Sequence, residues 1–139
     1  PKEKYIIQDF VPDLTCDLKV LVFMDKCFLL KRSTKKGDFR ASGSGLFDFI
    51  EPSNEILDFA EEFRRNLDTP YVSMDIIDKG GFYSCIEYQC VHFGPYTQIN
   101  AEYYYVKINA NWSKKSNNTK LEVLVAESVA TFIKHKEIV

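Results

Sequence analysis

The stretch KKGDFRASGSG, residues 35–45, sets basic side chains among glycines and hydroxyls in a protein whose formal net charge is −2. Backbone amides and hydroxyls of such a segment donate hydrogen bonds to phosphate oxygens, and a guanidinium such as that of Arg40 binds them through two parallel hydrogen bonds. The spacing is neither that of a P-loop nor that of a GxGxxG dinucleotide turn. The stretch indicates a phosphate-binding loop, and a plain surface loop is the alternative.

Two carboxylates are predicted to face each other further along the chain. The runs YVSMDIID and FYSCIEYQC flank a glycine turn, so Asp75 falls opposite Glu87 in a hairpin, with Gln89 on the same face. Opposed carboxylates repel each other unless a cation, a shared proton or solvent relieves them. A solvated sheet edge is one interpretation, and the mostly apolar strands, which indicate a sheet that is at least half buried, argue against it.

Two cations pose the mirror problem in the first hairpin. A turn at residues 25–26 between DLKVLVFM and CFLLKRST places Lys19 opposite Arg32, with Asp17 on the face of Lys19. Opposed cations are unfavourable unless an anion lies between them, although long side chains also spread into water.

The three features together suit magnesium and a polyphosphate, because Mg²⁺ takes one or two carboxylates and completes its shell with phosphate oxygens and water. The net charge gives no general attraction to nucleic acid or to a membrane surface, so neither is expected as a partner. No apolar run has the length of a membrane span and no signal peptide is visible, which predicts a cytoplasmic protein.

The elements that position these residues predict one α+β domain over residues 1–139 with a largely antiparallel sheet. Two hairpins pack against helices, and further predictions are a first strand over 4–12, a short strand LFDFI, an aromatic stretch YYYVKINANW and a polar loop SKKSNNT.

Two helices are predicted from apolar spacing. The first covers about 52–67, and the second begins at about Leu121. The residues expected on the apolar face of the first helix are Ile56, Ala60, Phe63 and Leu67, and those expected outside are Glu61, Glu62, Arg64 and Arg65. The stripe expected on the second consists of Leu121, Val125, Val129 and Phe132.

The four cysteines form no CxxC pair and only two histidines are present, which argues against a zinc site. Reduced, partly buried thiols are expected at Cys16, Cys27, Cys85 and Cys90.

The order of these motifs resembles the C-terminal half of the ATP-grasp fold. The likeness covers about residues 4–95 and is greatest to the branch containing the glutamate ligase that modifies a ribosomal protein. ATP-grasp proteins carry an N-terminal domain and a small lobe with phosphate-binding lysines. The resemblance therefore implies that the chain is a fragment of a larger enzyme and is inactive alone.

The resemblance also implies roles for single residues. Asp9 and Phe10, preceded by Gln8, match the pair that lines the adenine pocket. Asp17 matches an aspartate that contacts the nucleotide, and Lys19 stands where arginine is usual.

On the phosphate side, Arg40-Ala41-Ser42 stands where the family has Arg-Ser-Asn, and the resemblance makes Arg40 the catalytic residue. Lys19 and Arg32 are implied as supporting cations. The implied magnesium ligands are Asp75, Glu87 and Gln89, the last replacing an asparagine by a longer amide.

The implied activity is that of an ATP-dependent ligase that joins a carboxylate to an amine or a related nucleophile through an acyl phosphate, using ATP and Mg²⁺ or Mn²⁺. A degenerate nucleotide-binding module is one alternative. A structural interaction domain with Tyr103, Tyr104 and Tyr105 as a contact patch is another.

Overall fold

The computed structural model describes residues 3–38 and 40–137. Within them, the chain forms a mostly antiparallel sheet and three helices, which confirms the predicted α+β class. The elements in chain order are β1 (Cys16–Phe23), β2 (Lys26–Ser33), β3 (Phe47–Asp48), α1 (Asn54–Asn66), β4 (Tyr71–Asp78), β5 (Tyr83–Gln89), α2 (Tyr96–Asn100), β6 (Tyr103–Ile108), β7 (Asn111–Ser116) and α3 (Leu121–Glu137).

The strands lie in the order β5-β4-β1-β2-β6-β7, and β3 pairs with the far end of β2. β1 and β4 are therefore central strands. Their residues are almost all buried, as the apolar runs VLVF and MDII require of strands covered on both faces. No helix in the described part of the chain is long and apolar enough to cross a membrane.

Helix α1 covers one face of the sheet, here called the α1 face. Ser53 begins the helix by accepting a hydrogen bond from the backbone amide of Ile56. Ile56, Leu57 and Ala60 then pack against the residues of β1, β2 and β4 that point to this side, such as Val20. This layer is the larger part of the apolar core.

The opposite face is divided, and we call it the charged face. At one end, Leu21, Phe23 and Phe28 pack beneath Ala101 and Leu124, so α2 and α3 cover this end. At the other end, the same face carries the ionisable side chains described below.

Residues 4–12 do not form the predicted strand. They have no regular secondary structure and are mostly exposed, with Ile6 90% exposed, and have no ladder partner in the described chain. Pro12 and the positive φ of Asp13 (63°) turn the chain before β1, and the segment touches the sheet edge through a side-chain bond from Gln8 Nε2 to the Ile86 carbonyl (3.0 Å). The segment therefore has high strand propensity but forms no backbone pairing with that edge. Strand propensity depends on the surroundings and does not by itself produce a strand.

The predicted register of the first hairpin is wrong by two residues. The turn is at Met24 and Asp25, and Asp17 rather than Lys19 lies opposite Arg32. Lys19 instead faces Leu30. A shift of two residues keeps every side chain on its predicted face, and it replaces a cation pair by an oppositely charged pair.

The tail contains a third hairpin that the sequence analysis missed. β6 and β7 are joined at Asn109 and Ala110, both at positive φ, so the first part of the predicted polar loop is a strand. The lysines on β7 give this segment the composition of a loop, so the sequence did not predict a strand there. The short helix α2 was also missed.

The helix faces were predicted in part. Arg64, expected outside, is buried, and its Nη1 donates to the carbonyl oxygen of Thr69 (2.9 Å) just beyond the helix. In α3 the deepest residues are Leu124 and Ser128 rather than the predicted stripe, because the helix crosses the sheet on a neighbouring line of side chains.

Candidate functional site

The open end of the charged face carries five ionisable side chains, here called the charged row: Arg32, Asp17, Lys19, Asp75 and Glu87. A two-pronged ion pair stands at its start. Arg32 donates from Nε to Asp17 Oδ1 and from Nη2 to Asp17 Oδ2, both at 2.7 Å. The two residues are direct partners across β1 and β2, and both are buried. This bidentate geometry is the strongest form of arginine–carboxylate contact and fixes the guanidinium in place.

Asp75 receives a cation on each carboxylate oxygen. Lys19 Nζ lies 2.7 Å from Oδ1, and Arg32 Nη2 lies 2.7 Å from Oδ2. Lys19 is the direct partner of Asp75 across β1 and β4, so Arg32 reaches it diagonally. Burial by itself lowers the pKa of the Arg32 guanidinium, but hydrogen bonds to Asp17 and Asp75 outweigh this and hold that pKa above its ordinary value.

Glu87 stands opposite Asp75, as the sequence predicts, because of a β-bulge. Near the turn, Asp78 pairs with Tyr83, and that register continued without interruption would put Ile86 opposite Asp75. One extra residue in β5 moves Glu87 into this position. Bulges commonly redirect side chains beside functional sites, and this one also exposes Ile86.

The implied metal ligands fit Mg²⁺ by chemical type, since two carboxylates and an amide supply oxygen donors. Asp75 is already neutralised by cations, whereas Glu87 is exposed, and Gln89 Oε1 accepts a hydrogen bond from the Val91 amide (3.2 Å). Among the residues that the structure describes, no three acidic, histidine or cysteine side chains converge as a metal-binding group. The metal role of Asp75, Glu87 and Gln89 stays a prediction.

The basic loop is the stretch 35–45, and its residues 40–42 line one cavity together with Asp17, Asp75 and Glu87 of the charged row. Its base is closed by a backbone hydrogen bond from Ser33 to Leu46 (2.9 Å). Within it, the exposed Arg40 forms a two-pronged pair with Asp38, at 3.0 and 2.9 Å. These hydrogen bonds lower the pKa of the Asp38 carboxyl to about 2. Gly43 adopts a positive φ (76°), which allows the chain to turn there.

A cavity of about 220 Å³ lies between the loop and the charged row, and we call it the polar cavity because charged and hydroxyl side chains are part of its lining. Six of the predicted residues line it, and they come from four separate parts of the chain. They are Asp17, Arg40, Ala41, Ser42, Asp75 and Glu87, of which Asp17 and Asp75 are on adjacent strands.

A second, larger cavity of about 580 Å³ adjoins the polar one, and we call it the apolar cavity because no basic side chain of the described residues lines it and apolar side chains form much of its wall. Gln8, Asp9 and Phe10, the predicted adenine-side residues, line it against β5. The two cavities share three apolar wall residues that the sequence analysis did not single out: Leu14, Ile77 and Ile86. Ile86 could not have been identified without the bulge.

The structure thus brings most of the predicted site residues to one place. Lys19 and Arg32 do not line the polar cavity and act through Asp75 and Asp17, while Gln89 lies at the outer end of β5. A larger groove of about 740 Å³ lies at the far end of the sheet, by Met24 and α3. Two ion pairs span its lining, Lys26 with Glu127 and Arg65 with Glu61.

Comparison of the sequence with protein-family models and with curated proteins finds no match.

Proposed function

We propose that this chain is the nucleotide-binding part of an ATP-grasp ligase that activates a carboxylate as an acyl phosphate. The observation that carries the proposal is the pair of adjoining cavities, which share Leu14, Ile77 and Ile86 as a common wall. Apolar side chains line both cavities, and among the described residues only the polar cavity has a basic side chain in its lining. A nucleotide needs this combination, because its base is flat and largely apolar whereas its phosphates need donors.

The apolar cavity would hold the adenine. Phe10 and Val11 offer apolar surface, and Asp9 and Gln8 offer polar groups at its edge. The Gln8 amide already donates to the Ile86 carbonyl, which holds this segment against β5. A base in this cavity would therefore lie between the segment and the sheet edge.

The polar cavity would hold the terminal phosphates. The Arg40 guanidinium is exposed, and within residues 3–38 and 40–137 its one ion-pair partner is Asp38 of its own loop, so a phosphoryl group competes with one solvated carboxylate. Ser42 adds a hydroxyl, and the loop adds backbone amides. When bound, Mg²⁺ held by Asp75, Glu87 and Gln89 would neutralise phosphate charge.

In the proposed reaction, a carboxylate oxygen attacks the γ-phosphorus of ATP, and the bond to the bridging oxygen of ADP breaks. An amine nitrogen or another nucleophile then attacks the acyl carbon and releases phosphate. Arg40 would stabilise negative charge on the phosphoryl oxygens, so positioning and charge account for most of the protein's contribution.

Nuclear magnetic resonance titration of the 139-residue chain with ATP, with and without Mg²⁺, tests the proposal because it detects weak binding. We expect backbone shifts in residues 8–14, 41–45 and 84–87. Arg40→Met should weaken binding, whereas Arg65→Met, which removes an exposed arginine of α1 paired at 3.9 Å, should not. Shifts confined to other regions, or none at millimolar ATP, would contradict nucleotide binding.

A degenerate nucleotide-binding module is the second candidate, and the pairing of both Asp75 oxygens with cations favours it. The same titration separates the candidates. A degenerate module binds ATP equally with and without Mg²⁺, whereas a ligase component binds the magnesium complex more tightly. ADP release by the longer enzyme with carboxylate and amine substrates would then identify active chemistry.

A further inference from the structure

Lys19 holds the position on Asp75 that the proposed function assigns to a metal ion. Its Nζ lies 2.7 Å from Asp75 Oδ1, directly across β1 and β4. We propose that Lys19 is an internal stand-in for the divalent cation, which neutralises Asp75 in the metal-free site and leaves it when the cation binds. This inference rests on the proposed function.

Charge explains why Asp75 needs a stand-in. Its side chain is 8% exposed, and Glu87 stands opposite on β5. A buried carboxylate facing a second carboxylate is unfavourable without a nearby cation. Lys19 and Arg32 together provide it, one on each oxygen.

Lys19, not Arg32, is the cation that can leave. Arg32 is bound through three contacts to two carboxylates, and its planar fork fits Asp17 bidentately. Lys19 has the single partner Asp75 among the described residues, and its side chain is more exposed, at 19% against 10%. A lysine on a flexible stem exchanges partners with less rearrangement.

The displaced ammonium would remain useful. Asp17, Arg32, Asp75 and Lys19 carry no net charge together, and Glu87 adds one negative charge. A polyphosphate entering with a divalent cation brings more negative charge than that cation balances. Lys19 does not line the polar cavity, but its partner Asp75 does. Freed from Asp75, Lys19 would leave a positive charge beside the phosphates that no carboxylate of its own neutralises.

Binding of Mn²⁺ alone, followed by calorimetry and by the electron paramagnetic resonance signal of the free ion, tests the inference without an activity assay. Lys19→Met removes the competitor and should bind Mn²⁺ about tenfold more tightly than the unsubstituted chain, which corresponds to about 1.4 kcal/mol. Lys19→Arg keeps a cation in place and should bind no more tightly than the original.

Lys26→Met is the matched control, because Lys26 pairs with Glu127 at the far end of the same strands. It should leave Mn²⁺ affinity unchanged. Circular dichroism confirms that each variant is folded. If Lys19→Met does not fold, the resonance of the Lys19 Cε in the unsubstituted chain serves instead, and it should shift on addition of diamagnetic Mg²⁺.

The outcomes separate this inference from the proposed function. Equal or weaker Mn²⁺ binding by folded Lys19→Met, or an unmoved Lys19 resonance in a site that binds Mg²⁺, overturns the stand-in role and leaves nucleotide binding intact. Failure of every variant to bind Mn²⁺ while ATP still binds overturns the metal site. Loss of both kinds of binding refutes the proposed function itself.

Discussion

Asp17 and Arg32 face each other across β1 and β2, and their side chains form two hydrogen bonds of 2.7 Å inside the protein. Arg32 also contacts Asp75, so one guanidinium links two buried carboxylates on different strands. If this cation is removed, both buried carboxylates lose part of the positive charge that offsets the cost of keeping them away from water.

Arg32→Met should therefore lower the free energy of unfolding by about 3 kcal/mol, the loss typical when one partner of a buried ion pair is removed. Urea denaturation measures the change. Arg65→Met is the control, since Arg65 is exposed and its contact with Glu61 is long, and it should cost less than about 1 kcal/mol. Equal losses in the two variants would show that burial of the Arg32 pair adds nothing.

Acid should break the contact between Arg40 and Asp38. The pKa of Asp38 is lowered from 3.8 to about 2 by hydrogen bonds from the Arg40 side chain and backbone. A carboxyl with a depressed pKa contributes its stabilising contact above the ordinary pKa and loses it as the pH falls, here between about 4 and 2. Titration of the Asp38 carboxyl carbon resonance should show this midpoint, and in Arg40→Met the midpoint should return toward 3.8. An unchanged midpoint would mean that Arg40 does not hold Asp38.

The packing of α3 on the charged face depends on Leu124, which is fully buried. Leu124→Ala should lower the free energy of unfolding by about 2 to 5 kcal/mol, because a cavity remains beneath Ala101 and Phe28. Val123→Ala, at an exposed neighbouring position, should cost less than about 1 kcal/mol. A small effect of Leu124→Ala in chemical denaturation would indicate that α3 is not docked.

The turn between β6 and β7 offers a stabilising change. Asn109 and Ala110 both have positive φ, at 49° and 65°, which suits a two-residue hairpin turn but strains alanine. Ala110→Gly creates the favoured Asn-Gly pair and should raise the free energy of unfolding by about 1 kcal/mol. As a comparison, Ala126→Gly at an exposed position of α3 should lower the free energy of unfolding by about the same amount. Loss of stability in Ala110→Gly would contradict the turn geometry.

The sequence predicted the central hairpins because β1, β2 and β4 are apolar runs bounded by turn residues, and it predicted α1 from its apolar spacing. It could not predict the pairing of Arg32. Strand alternation fixes the face of a side chain but leaves registers that differ by two residues equally compatible with that pattern. The choice depends on the turn, and Met24 at positive φ is an unusual turn residue.

The predicted partnership of Asp75 and Glu87 was right, yet the sequence contained no sign of the bulge that produces it. The prediction of a strand over residues 4–12 was wrong. Their composition favours a strand, and only their contacts in the folded protein show that none forms. Leu14, Ile77 and Ile86 were missed because apolar wall residues look like any other core residues until two cavities are seen to share them.

The hydrogen bond between Ser33 and Leu46 closes the base of the basic loop, with β2 before it and β3 after it in the same sheet. The loop contains three exposed residues after which trypsin cleaves: Lys35, Lys36 and Arg40. A chain cut there would remain a single noncovalent particle, because β1 and β2 on one side of the cut still pair with β4 and β6 on the other. The protein therefore contains a natural site at which it could be divided into two halves that reassociate.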